Sequence, residues 1–179
     1  NSPKFSTIVC RTIPGQAKYY ESQDLNMEFS SFLLAASLTS LIDIPKSIDK
    51  ADVIEFRMDL SSNPISELSS YEGELPIIVT NRVESEGGGS PESPGRIDLL
   101  CRAMEIPAVE AIDIELSAAL SSIGEKAIDF AKTHGVSTII STHDFNSTPS
   151  LGELDSILRH STEIGDLGKL SVTAQSEGD

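Results

Sequence analysis

Cysteine and histidine are scarce, two and three respectively in 179 residues. Cys10 and Cys101 show neither metal-ligand nor redox-pair spacing, and two lone thiols suit a reducing compartment. His134, His143 and His160 are not at ligand spacing either, so no metal centre is expected. No apolar run approaches the roughly 20 residues that cross a bilayer. The N-terminus lacks the basic-then-apolar layout of a secretory signal, and the chain reads as cytoplasmic. It opens on Asn1 rather than Met, which leaves room for an upstream piece. Basic side chains are few as well: 13 Lys and Arg face 28 Asp and Glu, a formal net charge of −15. That balance argues against nucleic acid or an anionic membrane as a partner. An anionic small ligand would need the few cations gathered locally, so their positions carry information.

What is present looks like one ordinary globular domain, 39% hydrophobic and 23% charged. No internal repeat occurs, and the one low-complexity stretch is Gly87-Gly88-Gly89. Residues 1–30 are read as an N-terminal extension without chemistry, with a short strand at 6–10 and a loop at 21–26. From residue 32 the chain becomes regular. Apolar runs at 32–38, 53–60, 76–82, 109–116, 136–145 and 167–172 predict six strands. Between them lie helical stripes: Leu99, Leu100, Ala103 and Met104; Ile123, Ala127, Phe130 and Ala131; Leu151, Leu154, Ile157 and Leu158. Ser93-Pro94 and Thr148-Pro149 read as helix starts, and His134-Gly135 as a helix stop. Strands alternating with helices imply βαβ units and a parallel sheet.

Side-chain alternation selects the architecture, because successive strand residues point to opposite faces. Val53, Glu55, Arg57 and Asp59 share one face, against Ile54, Phe56, Met58 and Leu60 on the other. Asp113 and Glu115 oppose Ile112, Ile114 and Leu116 in the same way. Thr80 aligns with Arg82, Ser141 with His143, Lys169 with Ser171, and Ser37 with Ala35. An open doubly wound sheet buries both faces and should be apolar on both. One apolar face and one that turns ionisable toward the strand tips describes a barrel, with helices outside and a site at the top. The expected fold is therefore α/β, a TIM-type (β/α)8 barrel over residues 31–179, truncated after about the sixth strand.

The inner-face ionisable residues are Glu55, Arg57, Asp59, Arg82, Asp113, Glu115, His143 and Lys169, with Ser37 beside them and Glu86 just past the third run. Buried charges must pair. Glu55 is expected to pair with Arg57 or Arg82, and Lys169 with Asp113 or Glu115. A barrel lysine near other cations should have its pKa drop from about 10.4 toward about 7–8, where its amine becomes nucleophilic. Such an amine forms a Schiff base with a ketone, and a histidine within reach can take the proton made acidic by that imine. Residue types alone leave class I aldolases and imine-forming dehydratases both open.

Four motifs then occur in order: Glu55-Phe56-Arg57-Met58-Asp59, Arg82-Val83-Glu84-Ser85-Glu86-Gly87-Gly88, Ser141-Thr142-His143-Asp144-Phe145 with Thr148-Pro149, and Lys169-Leu170. In order and spacing they resemble the type I 3-dehydroquinate dehydratases of the shikimate pathway, over residue 32 to the end. The resemblance implies a lyase that dehydrates 3-dehydroquinate to 3-dehydroshikimate in aromatic amino acid biosynthesis, with no cofactor. It implies that Lys169 forms the imine, that His143 moves the proton and that Glu86 orients His143. Glu55, Arg57 and Arg82 would hold the substrate ring, with Ser37 close by. The family barrel has eight strands, whereas this chain stops at Asp179 after the sixth expected one. The missing strands would carry an arginine for the substrate carboxylate and a closing loop. The chain is accordingly expected to be a fragment of a longer protein or a degenerate one, catalytically near silent on its own, with strand edges open to homodimer formation. Two alternatives stand beside this reading, a non-catalytic metabolite-binding domain and a class I aldolase-like barrel.

Overall fold

The computed structural model describes residues 4–8, 27, 29–42 and 44–175. Its strands form one sheet in chain order: β1 (Lys4–Ile8), β2 (Leu33–Leu38), β3 (Val53–Arg57), β4 (Ile77–Thr80), β5 (Val109–Glu115), β6 (Ser137–Asp144) and β7 (Leu167–Val172). β1 runs antiparallel to β2, and the six strands from β2 to β7 are parallel. The parallel pairs are joined by crossovers: a 3-10 turn at Lys46–Lys50, then α1 (Pro64–Ser69), α2 (Pro94–Met104), α3 (Leu116–Ala119) with α4 (Ser122–His134), and α5 (Leu151–Ile164). All six expected runs are strands.

The local chemistry explains most element boundaries. α1 and α2 begin with proline in the first turn, where its missing N–H costs nothing. α4 opens on Ser121, whose side chain accepts from the Gly124 N–H, and stops at Gly135 in the left-handed region (φ 67°). The start of α5 lies two residues later than Thr148-Pro149 suggests. Ser150 and Glu153 form a reciprocal capping box, and Pro149 precedes the cap. Two runs also outlast their strands by two residues or more. β3 ends at Arg57, where the chain tightens into a 3-10 turn at Met58–Leu60, and β4 ends at Thr80.

The sheet is curled rather than flat. Adjacent strands are about 4.8 Å apart, so β3 and β7, four positions apart, would be separated by roughly 19 Å in a flat sheet. Yet Lys169 of β7 reaches to within 3.5 Å of Glu55 of β3. Curling creates two cores. Outside, Ile54, Phe56, Val79, Ile112, Ile114 and Ile140 pack against Leu68, Leu100, Ala127 and Ala131 of the helices. Inside, Ala35, Val53, Ile78, Ala111, Ile139 and Leu167 close the lower half of the half-barrel, joined by Met27 and Phe29 from the segment before β2. The inner core ends where the polar residues begin, two residues further along each strand. The α5 stripe departs from expectation: Leu151 is 86% exposed and Leu158 38%. α5 rests on β6 and β7 at the end of the sheet, and among the described residues no further helix flanks it. No described helix is long and apolar enough to cross a membrane.

Candidate active site

Parallel strands that curl together converge their C-terminal tips, and the inner-face residues converge with them. A pocket of about 270 Å³ opens there, lined by Ser37, Glu55, Arg57, Thr80, Arg82, Glu86, Gly87, His143, Phe145, Lys169 and Ser171. All seven residues to which the family resemblance gives a role line it, whereas the inner-face residues Asp59, Asp113 and Glu115 do not. The seven come from β2, β3, the end of β4, the turn after it, β6 and β7, so no local stretch of chain could have assembled them.

The centre of the polar network is Asp113 on β5. It is 1% exposed. One of its oxygens, Oδ1, accepts from Arg82 Nη2 at 2.6 Å and from Ser141 Oγ at 2.6 Å, and the other, Oδ2, accepts from Lys169 Nζ at 2.9 Å. Burial alone would push this carboxyl up, but Arg82 and Lys169 hold it far below the usual carboxylate range. Lys169 is flanked on its other side by Glu55, which also accepts from Thr80 Oγ1 at 3.1 Å. Lys169 therefore pairs with Asp113, as expected, and takes Glu55 as well, which the sequence had assigned to an arginine.

This arrangement corrects the expected lysine pKa. Burial pulls the Lys169 amine down, but Asp113 and Glu55 outweigh burial and Arg82, and the pKa lies above the ordinary lysine value. The sequence showed cations near Lys169 without showing that two carboxylates stand closer.

The arginines are also held by carboxylates. Arg57 forms a two-pronged bridge to Asp59, Nε to Oδ1 at 2.9 Å and Nη2 to Oδ2 at 2.6 Å, which raises its pKa. The Gly89 N–H donates to the same Asp59 oxygen at 3.0 Å, tying the glycine run to the turn after β3. Arg82 is 3% exposed and bonds Ser141 and Asp113, with Glu115 at 3.0 Å, and these anions raise its pKa despite burial. Glu115 accepts in turn from Arg96 Nη1 at 2.7 Å and from the Val83 N–H at 3.0 Å. Arg96 lies on α2 and is 4% exposed. Arg96→Met should cost about 3 kcal/mol, the low end for breaking a buried pair, because Glu115 keeps Arg82. Urea unfolding measures it.

Glu86 is delivered by the 3-10 turn Glu84–Glu86, closed by Gly87 in the left-handed region (φ 77°). A Cβ on Gly88 would lie 1.9 Å from the Arg82 carbonyl oxygen, so only glycine lets the loop fold back this tightly. Glu86 Oε2 then meets both the backbone N–H and Nδ1 of His143 at 3.0 Å. An ionised carboxylate only accepts, so Nδ1 carries a proton, and in the neutral imidazole the lone pair then sits on Nε2. Phe145 covers this corner, its ring near-parallel to His143 at 6.4 Å between centroids and against Gly87. The site thus offers an amine that can attack a carbonyl, an oriented imidazole and a pocket sized for a small polar molecule.

Sequence reasoning placed Asp113 on the inner face as a possible partner of Lys169 but gave it no part in the chemistry, quoted Phe145 only within a motif, and missed Arg96. Nothing in the spacing of a helical arginine marks Arg96 as buried.

The family model for type I 3-dehydroquinase matches residues 32–179. A 3-dehydroquinate dehydratase of Halobacterium salinarum is 42% identical over 156 residues, covering 86% of this chain and 69% of the relative. One of Haloarcula marismortui is 42% identical over 157 residues, covering 86% and 68%. Among solved structures, the 3-dehydroquinate dehydratase of Enterococcus faecalis aligns with a TM-score of 0.66 at 24% identity, covering 79% of this chain and 66% of that one. The type I enzyme of Clostridium difficile, solved with covalently modified comenic acid, aligns at 0.62 with 34% identity, covering 72% and 55%. The chain thus spans about two thirds of these curated relatives and between 55% and 66% of the two solved chains.

Proposed function

The chain belongs to the type I 3-dehydroquinase family, and from that membership we propose that its site dehydrates 3-dehydroquinate to 3-dehydroshikimate through an imine at Lys169. The observation that carries this reading is the presence in one pocket of a lysine amine and a carboxylate-bound imidazole. In this scheme the Lys169 amine attacks the C3 ketone, the carbonyl oxygen leaves as water, and the nitrogen becomes a protonated imine. That cation withdraws electrons from C2 and acidifies its hydrogen. His143 Nε2 takes the C2 proton, the electron pair moves through the imine, and the C1 hydroxyl leaves with the proton that His143 returns. Hydrolysis of the imine releases the enone and restores Lys169. Glu86 holds the imidazole with Nδ1 protonated and stabilises the imidazolium that forms.

In this scheme Glu55, Arg57 and Arg82, which share the pocket with Ser37, hold the ring of a carbocyclic acid, Arg82 while also bonded to Asp113 and Glu115. The substrate is a small anion, and we place the reaction in the cytoplasm, where lone thiols persist. With the barrel closed to eight strands, incubation with 3-dehydroquinate should raise the ultraviolet absorbance of a conjugated enone. A folded, closed protein that produces no such rise would overturn the proposal.

A further inference from the structure

We infer that Asp113 is the counter-ion of the reacting nitrogen throughout the imine cycle, gripping the Lys169 ammonium before attack and the iminium after it. The inference rests on the imine reading proposed above and assigns a role to a residue outside the lysine, histidine and glutamate of that scheme. Asp113 Oδ2 stands 2.9 Å from Lys169 Nζ, and its other oxygen is held by Arg82 and Ser141, each at 2.6 Å. This carboxylate cannot swing away, since β5 fixes its backbone and three partners fix its oxygens. The second carboxylate near the nitrogen, Glu55, lies farther off at 3.5 Å and lines the open pocket.

The chemistry needs such a fixed anion. Imine formation joins a lysine ammonium and a ketone and releases one water. The nitrogen lone pair forms the new bond to C3, the C–O bond breaks, and the oxygen leaves with two protons from the former ammonium. The third proton stays on nitrogen. The nitrogen thus carries one positive charge at both ends of the step and keeps an N–H to donate to Asp113 Oδ2. A preorganised carboxylate stabilises both states without moving. The cost is a smaller population of free amine between them, which agrees with the raised lysine pKa.

The charges facing the nitrogen are Asp113 from β5, Glu55 from β3 and Arg82 from the end of β4, while Arg57, Glu86 and His143 share the pocket. Asp113→Asn should therefore have two effects of opposite sense. Trinitrobenzenesulfonate reacts with unprotonated amines, and peptide mass spectrometry can read its modification of Lys169 as pH rises. The midpoint should fall by roughly one unit, a tenfold larger free-amine population at a given pH. Borohydride trapping with 3-dehydroquinate should at the same time yield several-fold less Lys169 adduct, because the iminium has lost its anion. Glu55→Gln should move the midpoint less. An unmoved midpoint, or an unchanged adduct yield, would overturn the assignment. Should Asp113→Asn not fold, Asp113→Glu keeps the charge but displaces it: a retained high midpoint with a reduced adduct yield supports the role, and full yield overturns it. Absence of any adduct in the unmutated protein would instead defeat the imine reading, while the midpoint shift would still decide whether Asp113 holds the amine.

Discussion

Lys169→Met should abolish turnover of 3-dehydroquinate, a larger loss than the 10²–10⁴ typical of a missing general base, because the covalent route itself is removed. In the unmutated protein, borohydride should add the mass of the reduced ligand to Lys169 and to no other lysine. The geometry makes this residue-specific, since Lys169 lines the pocket with its amine between Asp113 and Glu55. The raised pKa gives the expected pH dependence. Only the deprotonated amine attacks, and raising its pKa lowers the free fraction at neutrality. Imine formation measured by trapping should climb with pH through neutrality and past the usual lysine value before levelling. An early plateau near neutral pH would show that the amine is freed by another route on substrate binding. A productive adduct on a different lysine would remove Lys169 from the mechanism.

His143→Ala should lower turnover by about 10²–10⁴ and leave imine formation intact, so that trapped adduct accumulates on Lys169. The two effects separate because the imidazole is held by Glu86 and the lysine by Asp113 and Glu55. Glu86→Gln should be milder and shift the pH profile, since an amide can still meet the backbone and ring nitrogens but no longer supplies charge to an imidazolium. Near-normal turnover in His143→Ala, or a loss of adduct together with turnover, would refute the division of labour. The first result would remove His143 as the base, and the second would make it necessary for attack as well.

Much of this was legible in advance for definite reasons. Period-two alternation in residues 53–57 and 111–115 separates Glu55, Arg57, Asp113 and Glu115 from Ile54, Phe56, Ile112 and Ile114. The structure places the first group inside the curl and all of the second in the helix-packed core. The turn after β4 went unread although its signal is there, a glycine run that permits a backward fold side chains would block. Helix boundaries were readable where a cap sits in the sequence, at Ser93-Pro94 and His134-Gly135. They slipped at Pro149, where the Ser150–Glu153 capping box competes with the proline signal.

Sequence by itself determined the alternation of strands and helices and the polar inner face, because these depend on residue type and on a period set by the backbone, while the roles expected of the seven candidate residues came from the family resemblance. Tertiary structure decided which charge meets which. Lys169 lies 56 positions from Asp113, and Arg82 lies 59 from Ser141. Separations of that kind are closed only by the curl of the sheet, and strand register then sets which partners meet. For the same reason the lysine pKa ran opposite to expectation. Its sign depends on differences of ångströms among Asp113, Glu55 and Arg82, and electrostatic energy at that range follows distance and burial rather than order along the chain.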